Sequence, residues 1–421
     1  MAASFCALAL LRPAALDRYF QARLPLFVMA DRGRTATSLC SLAVVLMLVA
    51  SGFLGSHDPL ANPLPLVVWT VLWVGFTLLQ GAVGHVWYWL DPWYGIHRFA
   101  THMLGIRKFR AFPRWLGLWP AVLLFLGFAW FELIDLAPED PPRLAAAVSA
   151  YLVATLAAMM VFGHEPWGRR AEFLSVFFTM VARFSVLDWD RSGDRSVSLC
   201  WPGAKLAAAE PMPASGVVFL LAVLASVSFD GLSKTFLWLG ANGINPLEFP
   251  GRSAVMTINS AGLLAAIAVL AALFFLAVWL GLLIVDIGSL LGSAGLLIYS
   301  IVPIALAYHF SHYITALLVD GQYALVALSD PFGRGWNVFG TAHRHVEAGI
   351  VMGHDSAWAI WNAQAVAIVS GHVLAVVLAH RLSLRLHADE SKAVISQVPL
   401  AVLMVGYTLF GLWLLSTPSA G

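Results

Sequence analysis

The chain has 421 residues, of which 60% are hydrophobic and only 11% are charged. Soluble domains carry about 25% charged residues, so this composition excludes an ordinary soluble protein and indicates a protein embedded in a lipid bilayer. The 24 Lys and Arg residues nearly balance the 23 Asp and Glu residues. This balance provides no basic surface for phosphates, and we therefore expect no nucleic-acid partner.

The N-terminal arm, residues 1–36, starts with a short apolar run from Phe5 to Leu11. The run is too short to span a bilayer and no basic segment precedes it, so we expect an interfacial segment and not a cleaved signal peptide. The three cysteines of the chain are far apart in the sequence. Their spacing predicts neither a zinc knuckle nor a disulfide framework.

Long apolar windows make up most of the remaining sequence. A membrane-spanning helix needs about 20 predominantly apolar residues, and about nine such windows can be placed in the chain. They predict an all-α fold, a polytopic transmembrane helical bundle. A polar stretch at 187–213 resembles a cytoplasmic linker, so we expect an N-terminal membrane half at 37–186 and a C-terminal membrane half at 214–421. The windows are Thr37–Leu54, Pro63–Val86, Trp115–Leu136, Leu144–Phe162, Ala214–Phe229, Val255–Val285, the segment between Gly288 and Asp320, Trp358–His380 and Val398–Leu415.

Two segments between these windows have an unusual composition. Phe173–Val186 is apolar but short and contains Arg183, which predicts a helix that lies in the membrane interface or re-enters the membrane. Asp320–Ala357 is a predicted loop of about forty residues, and loops of that length are uncommon unless they are functional or disordered.

Basic residues set the expected orientation, because cytoplasmic loops close to membrane spans collect Lys and Arg. They concentrate in the N-terminal arm, in Arg107–Arg114, in Arg169–Lys205 and in Arg381–Lys392. With about nine spans, these four segments fall on the same side of the membrane. We therefore expect a multi-pass membrane protein with a cytoplasmic N-terminus and a C-terminus on the opposite side, which in a bacterium means the inner membrane and the periplasm.

Candidate site residues lie in the C-terminal half. His309 and His312 are three residues apart inside the seventh window, so they share one face of a helix. His372 lies in the eighth window, and its expected depth in the membrane differs from that of His309 and His312 by two helical turns or less. Polar groups at membrane depth usually face the protein interior or a wet cavity, so we expect the three imidazoles to line one cavity. Asp230 and Asp320, near the ends of their windows, are candidate catalytic carboxylates.

Several kinds of site fit this pattern. Neutral imidazole is a common metal ligand, so His309, His312 and His372 predict a divalent metal site, for example for zinc. A haem held by one histidine from each of the two spans is an alternative. A third alternative is that the histidines relay protons or only hydrogen-bond to backbone carbonyls and neighbouring side chains. The spacing of two histidines alone is a weak signal for metal.

Several strings of the sequence resemble those of a known family. They are Phe229-Asp230-Gly231, the segment Gly243 to Arg252, the segment Pro303 to Tyr323, and Gly371-His372-Val373-Leu374-Ala375. In these strings the chain is similar to a bacterial family of polytopic membrane proteins often labelled fenitrothion hydrolase, whose members often begin with one further N-terminal span. The resemblance implies hydrolysis of an organophosphate-type ester, for which a metal-bound hydroxide is a suitable nucleophile. It implies no particular catalytic residues.

The sequence thus leaves three functions open. The first is a membrane-embedded, metal-dependent hydrolase of a small-molecule ester, and the second is a solute or proton transporter that uses polar groups near the membrane midplane. The third is a haem-binding electron carrier. The expected partners are the lipid bilayer and a small-molecule substrate, and the sequence predicts no oligomeric state.

Overall fold

The structure is a computed structural model that describes residues 13–28, 33–105, 110–189, 196–248, 251–285 and 288–417. The apolar run Phe5–Leu11, for which an interfacial segment is predicted, and the charged residues at 190–195 lie outside these ranges. In chain order the described elements are α1 Pro13–Gln21, β1 Arg23–Val28, α2 Arg34–Leu54, α3 Pro63–Val83, α4 Trp87–Leu90, α5 Pro92–Leu104, α6 Trp119–Leu133, α7 Pro141–Phe162, α8 His164–Arg170, α9 Phe173–Ala182, β2 Leu187–Trp189, β3 Ser196–Cys200, α10 Ala204–Ala207, α11 Ala214–Ser233, α12 Phe236–Ala241, α13 Arg252–Val285, α14 Leu290–Ser329, α15 His354–Leu386, α16 Glu390–Ser396 and α17 Val398–Ser416.

Eight helical segments within the described residues are long and apolar enough to cross a membrane. They are α2, α3, α7, α11, α13, α14, α15 and the consecutive pair α16 and α17. The prediction of an all-α polytopic bundle is therefore confirmed. The third predicted window, Trp115–Leu136, differs from the others because its helix α6 has only 15 residues, fewer than the about 20 that a bilayer requires.

Polar residues at the helix starts explain several boundaries. Asp91, Asp140, Glu172 and Asp389 each precede a helix, and their carboxylates accept backbone N–H groups from the first turns of α5, α7, α9 and α16. Such N-caps satisfy backbone donors that have no partner within the helix. Proline follows Asp91 and Asp140 directly, at the position where its missing N–H costs nothing.

Two helices form the centre of the bundle. Buried residues make up 83% of the apolar window of α11 and 72% of that of α14, against 22% for α2 and for α7. A helix that is apolar on all sides is expected in a core, where every face meets another helix. The peripheral helices expose Leu, Val and Phe side chains instead, as helices that face lipid do. The histidines at 309 and 312 are thus carried by a central helix.

One end of the bundle is covered by a three-stranded antiparallel sheet in the order β1-β3-β2. We call it the sheet end. Arg23 of β1 pairs with Asp188 of β2 at 2.9 Å, and Arg381 near the end of α15 pairs with Asp17 at 2.6 Å. The described parts of the N-terminal arm and of the segment 187–213 therefore form one folded layer at this end of the bundle.

The opposite end, which we call the loop end, gathers the loops between α2 and α3, between α6 and α7, and between α14 and α15. Trp69 Nε1 donates to the Pro138 carbonyl at 3.1 Å, and the Glu347 amide donates to Gln322 Oε1 at 3.0 Å. Gly55 lies so close to Pro331 that a Cβ there would come within 3.0 Å of its carbonyl oxygen. These contacts hold the three loops together at one end of the bundle, whereas the side of the membrane that they face stays a prediction.

One predicted boundary and the predicted interfacial location of one helix are wrong. Helix α14 continues to Ser329, so Asp320 is helical and the loop begins about ten residues later than expected. The apolar residues after Gly321 continue the helical pattern, and a single glycine inside a helix costs only about 1 kcal/mol. The short helix α9 is buried along almost its whole length and lies in the core, not in the interface. Arg183, which had suggested an interface, donates to the Tyr299 hydroxyl at 2.9 Å.

Candidate functional site

Asp230 is the centre of the candidate site. It lies in the last turn of α11 and is only 5% exposed. Its Oδ1 is 2.8 Å from Lys234 Nζ, and its Oδ2 is 2.6 Å from His312 Nε2. A buried carboxylate is costly unless charged and hydrogen-bonding partners compensate for the lost water. Lys234 directly follows the last residue of α11, four positions after Asp230, and His312 lies on α14.

A second carboxyl group, Glu132, reaches the same place from the end of α6. The Tyr313 hydroxyl on α14 lies 3.3 Å from Glu132 Oε1 and 3.4 Å from Asp230 Oδ2. A tyrosine hydroxyl has one proton to donate, so it can donate to only one of the two carboxyl groups at a time. Tyr313 thereby connects the two acids. We call Glu132, Asp230, Lys234, His312 and Tyr313 the loop-end site.

Positive charge surrounds this site on the loop side. The Arg252 guanidinium, at the start of α13, donates to the backbone carbonyls of Glu132 and Asp135, both at 3.1 Å. Asp135 in turn accepts from Arg143 at 2.6 Å. Burial raises the pKa of Asp135, but the Arg143 hydrogen bond and the Ala137 amide outweigh burial and hold this pKa below its ordinary value. The turn after α6 is therefore fixed by ionic contacts that also position Glu132.

His309 lies one helical turn before Tyr313, and its ring centroid is 5.0 Å from the Tyr313 ring. Its Nε2 donates to the Trp73 carbonyl at 2.9 Å, so Nε2 carries the proton. Trp73 belongs to a π-helical segment of α3, Leu66–Phe76. Wide turns of this kind are rare and occur frequently at functional sites. The wide turn brings the Trp73 carbonyl to His309 Nε2. His309 makes no hydrogen bond to Asp230, which binds His312 instead.

His372 on α15 is fully buried. Its Nδ1 donates to the Ile368 carbonyl at 2.7 Å, one turn back on its own helix, and its Nε2 has no hydrogen-bond partner among the described residues. Its ring centroid is 6.1 Å from the ring of Tyr308 on α14. His372 is thus separate from the loop-end site, although Tyr308 and His312 are one turn apart on α14.

The three histidines do not share a set of ligand positions. His309 binds a backbone carbonyl, His312 binds Asp230, and His372 binds its own helix. No group of three or more His, Cys, Asp or Glu side chains in the described ranges is arranged to hold a metal ion. The residues therefore do not fit the predicted three-histidine metal site. The alternative haem, held by one histidine from each of α14 and α15, stays a prediction: His309 Nε2 and His312 Nε2 already bind the Trp73 carbonyl and Asp230, whereas the buried His372 Nε2 has no partner among the described residues.

Asp320, the second predicted catalytic carboxylate, is not part of the loop-end site. It lies eight residues after His312 on α14 and is half-buried. Of the five residues proposed from the sequence, the structure joins only Asp230 and His312 directly.

Three members of the site were missed in the sequence. Lys234 could have been found, because it lies four residues after Asp230 and such pairs meet on one helix face. Tyr313 follows His312 directly, but the sequence does not show which aromatic side chains face the site. Glu132 lies at the end of an apolar helix 98 positions before Asp230, and only the packing of α6 against α11 brings the two together.

Comparisons with known proteins provide no further assignment. The chain matches no family model, no curated protein and no solved structure. The similarity to the fenitrothion hydrolase family therefore rests on the quoted sequence strings alone, and what it implies stays a prediction.

Proposed function

We propose that this chain is a multi-pass membrane protein that exchanges protons at the loop-end site and couples this exchange to the movement of a small solute. One observation carries the proposal: the buried Asp230 carboxylate is held by side chains, one of which, His312, can itself accept and release a proton. Ionisable groups inside membrane proteins commonly mark ion pathways and proton relays. Transporters place such groups where helices end or break within the membrane.

Exposure supports entry of the proton from the loop end. The Lys234 side chain is 51% exposed and the His312 side chain is 26% exposed, whereas the Asp230 side chain is only 7% exposed. A proton can therefore reach His312 first and pass along the hydrogen bond of 2.6 Å to the buried carboxylate. Tyr313 offers a further transfer to Glu132, because its hydroxyl lies within 3.4 Å of both acids.

The proposal includes an orientation in the membrane. The described arginines and lysines of the basic segments lie around the sheet end, for example Arg381 and Arg385 on α15 and Lys205 on α10. Because cytoplasmic segments collect such residues, the sheet end would face the cytoplasm of a bacterial inner membrane. The loop-end site would then open toward the periplasm.

Proton movement can be measured directly. The purified chain is reconstituted into liposomes that contain a pH-sensitive dye, and a potassium gradient with valinomycin imposes a membrane potential. The outside solution contains a mixture of amino acids, sugars and carboxylic acids. We expect proton flux with the natural chain and none with Asp230→Asn. Asp355→Asn, at a fully exposed aspartate of the loop end, is the matched control and should keep the flux. Flux no higher than in empty liposomes would contradict the proposal.

A second candidate function is hydrolysis of an organophosphate-type ester. The Asp230–His312 pair favours it, because a carboxylate that orients an imidazole is a common arrangement for a general base. In this reaction His312 would take a proton from water, the resulting hydroxide would attack phosphorus, and the aryloxide would leave. Asp230 would stabilise the imidazolium until it returns the proton to solvent. Release of the nitrophenol from fenitrothion by the purified chain, and its loss in His312→Gln, would support hydrolysis over transport.

A further inference from the structure

Two buried histidines lie on α15 and a third is the residue that follows its last turn, and two of the three are used by none of the contacts described above. We call His372, His380 and His387 the α15 histidines; they are 0%, 3% and 6% exposed. With a rise of 1.5 Å per residue and 3.6 residues per turn, His372 and His380 are about 12 Å apart along the axis and about 80° apart around it. His387 caps the C-terminal end of α15 with extended backbone, and its amide donates to the Ser383 carbonyl. The three therefore follow one another along α15 to the sheet end.

Polar groups connect the loop-end site to the first of the α15 histidines. Tyr308 lies one turn before His312 on α14, and its ring is 6.1 Å from the His372 ring. The Tyr308 hydroxyl donates to the Tyr407 carbonyl, and the Tyr407 hydroxyl is hydrogen-bonded to Ser228 of α11. Ser228 lies two residues before Asp230 on α11, so these contacts join the helix that carries Asp230 to Tyr308, whose ring lies beside that of His372.

A second polar stretch connects the other two histidines. Gln397 donates to His380 Nδ1 at 2.7 Å, and the hydroxyls of Ser383 and Ser396 are 3.1 Å apart. Ser383 lies about one helical turn from both His380 and His387, so it occupies the space between them. The polar stretch ends where Arg385 donates to the Ala207 carbonyl at 2.7 Å.

Ring nitrogens of the α15 histidines lack partners. His372 Nε2 and both ring nitrogens of His387 are buried and have no hydrogen-bond partner within the described protein. An unsatisfied buried polar group costs about 1 to 3 kcal/mol, so histidines that served only to join helices would be expected to have these nitrogens satisfied. Unpaired nitrogens are instead suited to accept a proton.

The two polar stretches are separated by an apolar position. Val376 lies midway between His372 and His380 on the same face of α15, one turn from each, and is 3% exposed. Apolar constrictions of this kind stop ions and water in membrane proteins and can act as gates.

We infer that the α15 histidines extend the loop-end site into a proton route to the sheet end, and that Val376 is the apolar barrier in this route. The inference rests on the proposed proton exchange. Each imidazole accepts a proton on an unprotonated nitrogen and releases one to the next group, so only N–H and O–H bonds form and break. Passage from His372 to His380 requires water or a side-chain movement at Val376, and this requirement keeps the resting route closed.

Substitutions that should raise the proton flux and substitutions that should abolish it test the route in the same dye-filled liposomes. Val376→Ser should raise the proton flux above that of the natural chain, because a hydroxyl would bridge the apolar gap. His387→Phe should abolish the flux, both alone and combined with Val376→Ser. Leu374→Ser is the matched control, since Leu374 is 37% exposed on the opposite face of α15, and it should leave the flux unchanged. Size-exclusion chromatography and circular dichroism of each variant establish that it is folded.

The outcomes separate this inference from the proposed function. If the natural chain conducts no protons but Val376→Ser does so through His387, the route is supported and the proposed coupling to solute is wrong. If the natural chain conducts protons and folded His387→Phe conducts equally well, the route is wrong while proton exchange at Asp230 still stands. A lack of flux in the natural chain and in Val376→Ser alike would overturn both.

Discussion

Two regions of the molecule contain buried or half-buried carboxyl groups next to a histidine, and they hold them in different ways. In the half of the bundle near the sheet end, Asp91 pairs with His164 at 2.6 Å, and Glu172 binds the Tyr151 hydroxyl. Both acids are N-caps: Asp91 accepts the Trp93 amide, and Glu172 accepts the amides of Leu174 and Ser175. The acids of the loop-end site are held by side chains instead.

The difference follows from the position of each acid on its helix. An N-terminal turn offers free N–H groups and a positive dipole end, so a carboxylate there stabilises the helix. Asp230 and Glu132 lie in the last turns of α11 and α6, where the free backbone groups are carbonyls and the dipole end is negative. Helix capping thus gives Asp91 and Glu172 a structural role that does not depend on their side-chain partners, whereas it gives none to Asp230 and Glu132. This difference is our reason for proposing a functional role for the second pair and a structural role for the first.

The largest expected effect is the loss of proton movement in Asp230→Asn, because asparagine keeps the shape of the side chain but cannot carry the proton. The measurement is dye-reported flux in liposomes. Asp91→Asn is the matched variant from the other region, and it should retain both flux and fold because asparagine caps helices as well as aspartate does. Equal loss of flux in both variants would remove the functional distinction between the two regions.

Glu172→Ala should lower the stability of the fold and have no specific effect on proton flux, which is the reverse of what we expect for Asp230→Asn. It removes two cap hydrogen bonds and the contact to Tyr151, at about 1 kcal/mol for each, or about 3 kcal/mol in total. Thermal unfolding in detergent measures the loss. Glu172→Gln keeps an acceptor oxygen and should recover much of the stability. A flux defect in Glu172→Gln at full stability would show that this cluster also takes part in function.

His309 and His372 sharpen the comparison within the C-terminal half. Since they bind different carbonyls, on α3 and α15, replacement of each by alanine should lower stability by about 1 to 2 kcal/mol. The two losses should add in the double variant, because distant sites without shared partners behave independently. A double variant no less stable than either single variant would instead indicate a common ligand.

The sequence predicted the parts of the fold that depend on local composition. Apolar windows located the eight spans, because a window depends only on nearby residues. Charge predicted which segments face the cytoplasm, and that orientation stays a prediction. The sequence also located Asp230 and His312 as polar residues in apolar surroundings. It could not show that His312 contacts Asp230 while His309 contacts Trp73. A shift of α14 by about one helical turn along its axis would bring His309 to the place of His312. The role of Glu132 likewise depends on tertiary packing.

The smallest expected effect concerns pH and the turn beside the loop-end site. The folded-state pKa of Asp135 is lowered by Arg143 and the Ala137 amide despite burial, so the carboxylate stabilises the fold above its unfolded-state pKa of about 3.9. This contribution is lost as the pH falls through the lower, folded-state pKa. Because the Arg143 side chain is 49% exposed, water screens the pair and the contribution should be about 1 kcal/mol or less. Thermal unfolding from about pH 7 to about pH 3 should therefore show the natural chain more stable than Asp135→Asn at the higher pH, with the difference shrinking in acid. No difference between the two proteins at any pH in this range would mean that Asp135 acts through the Ala137 hydrogen bond, which asparagine can also accept, and not through its charge.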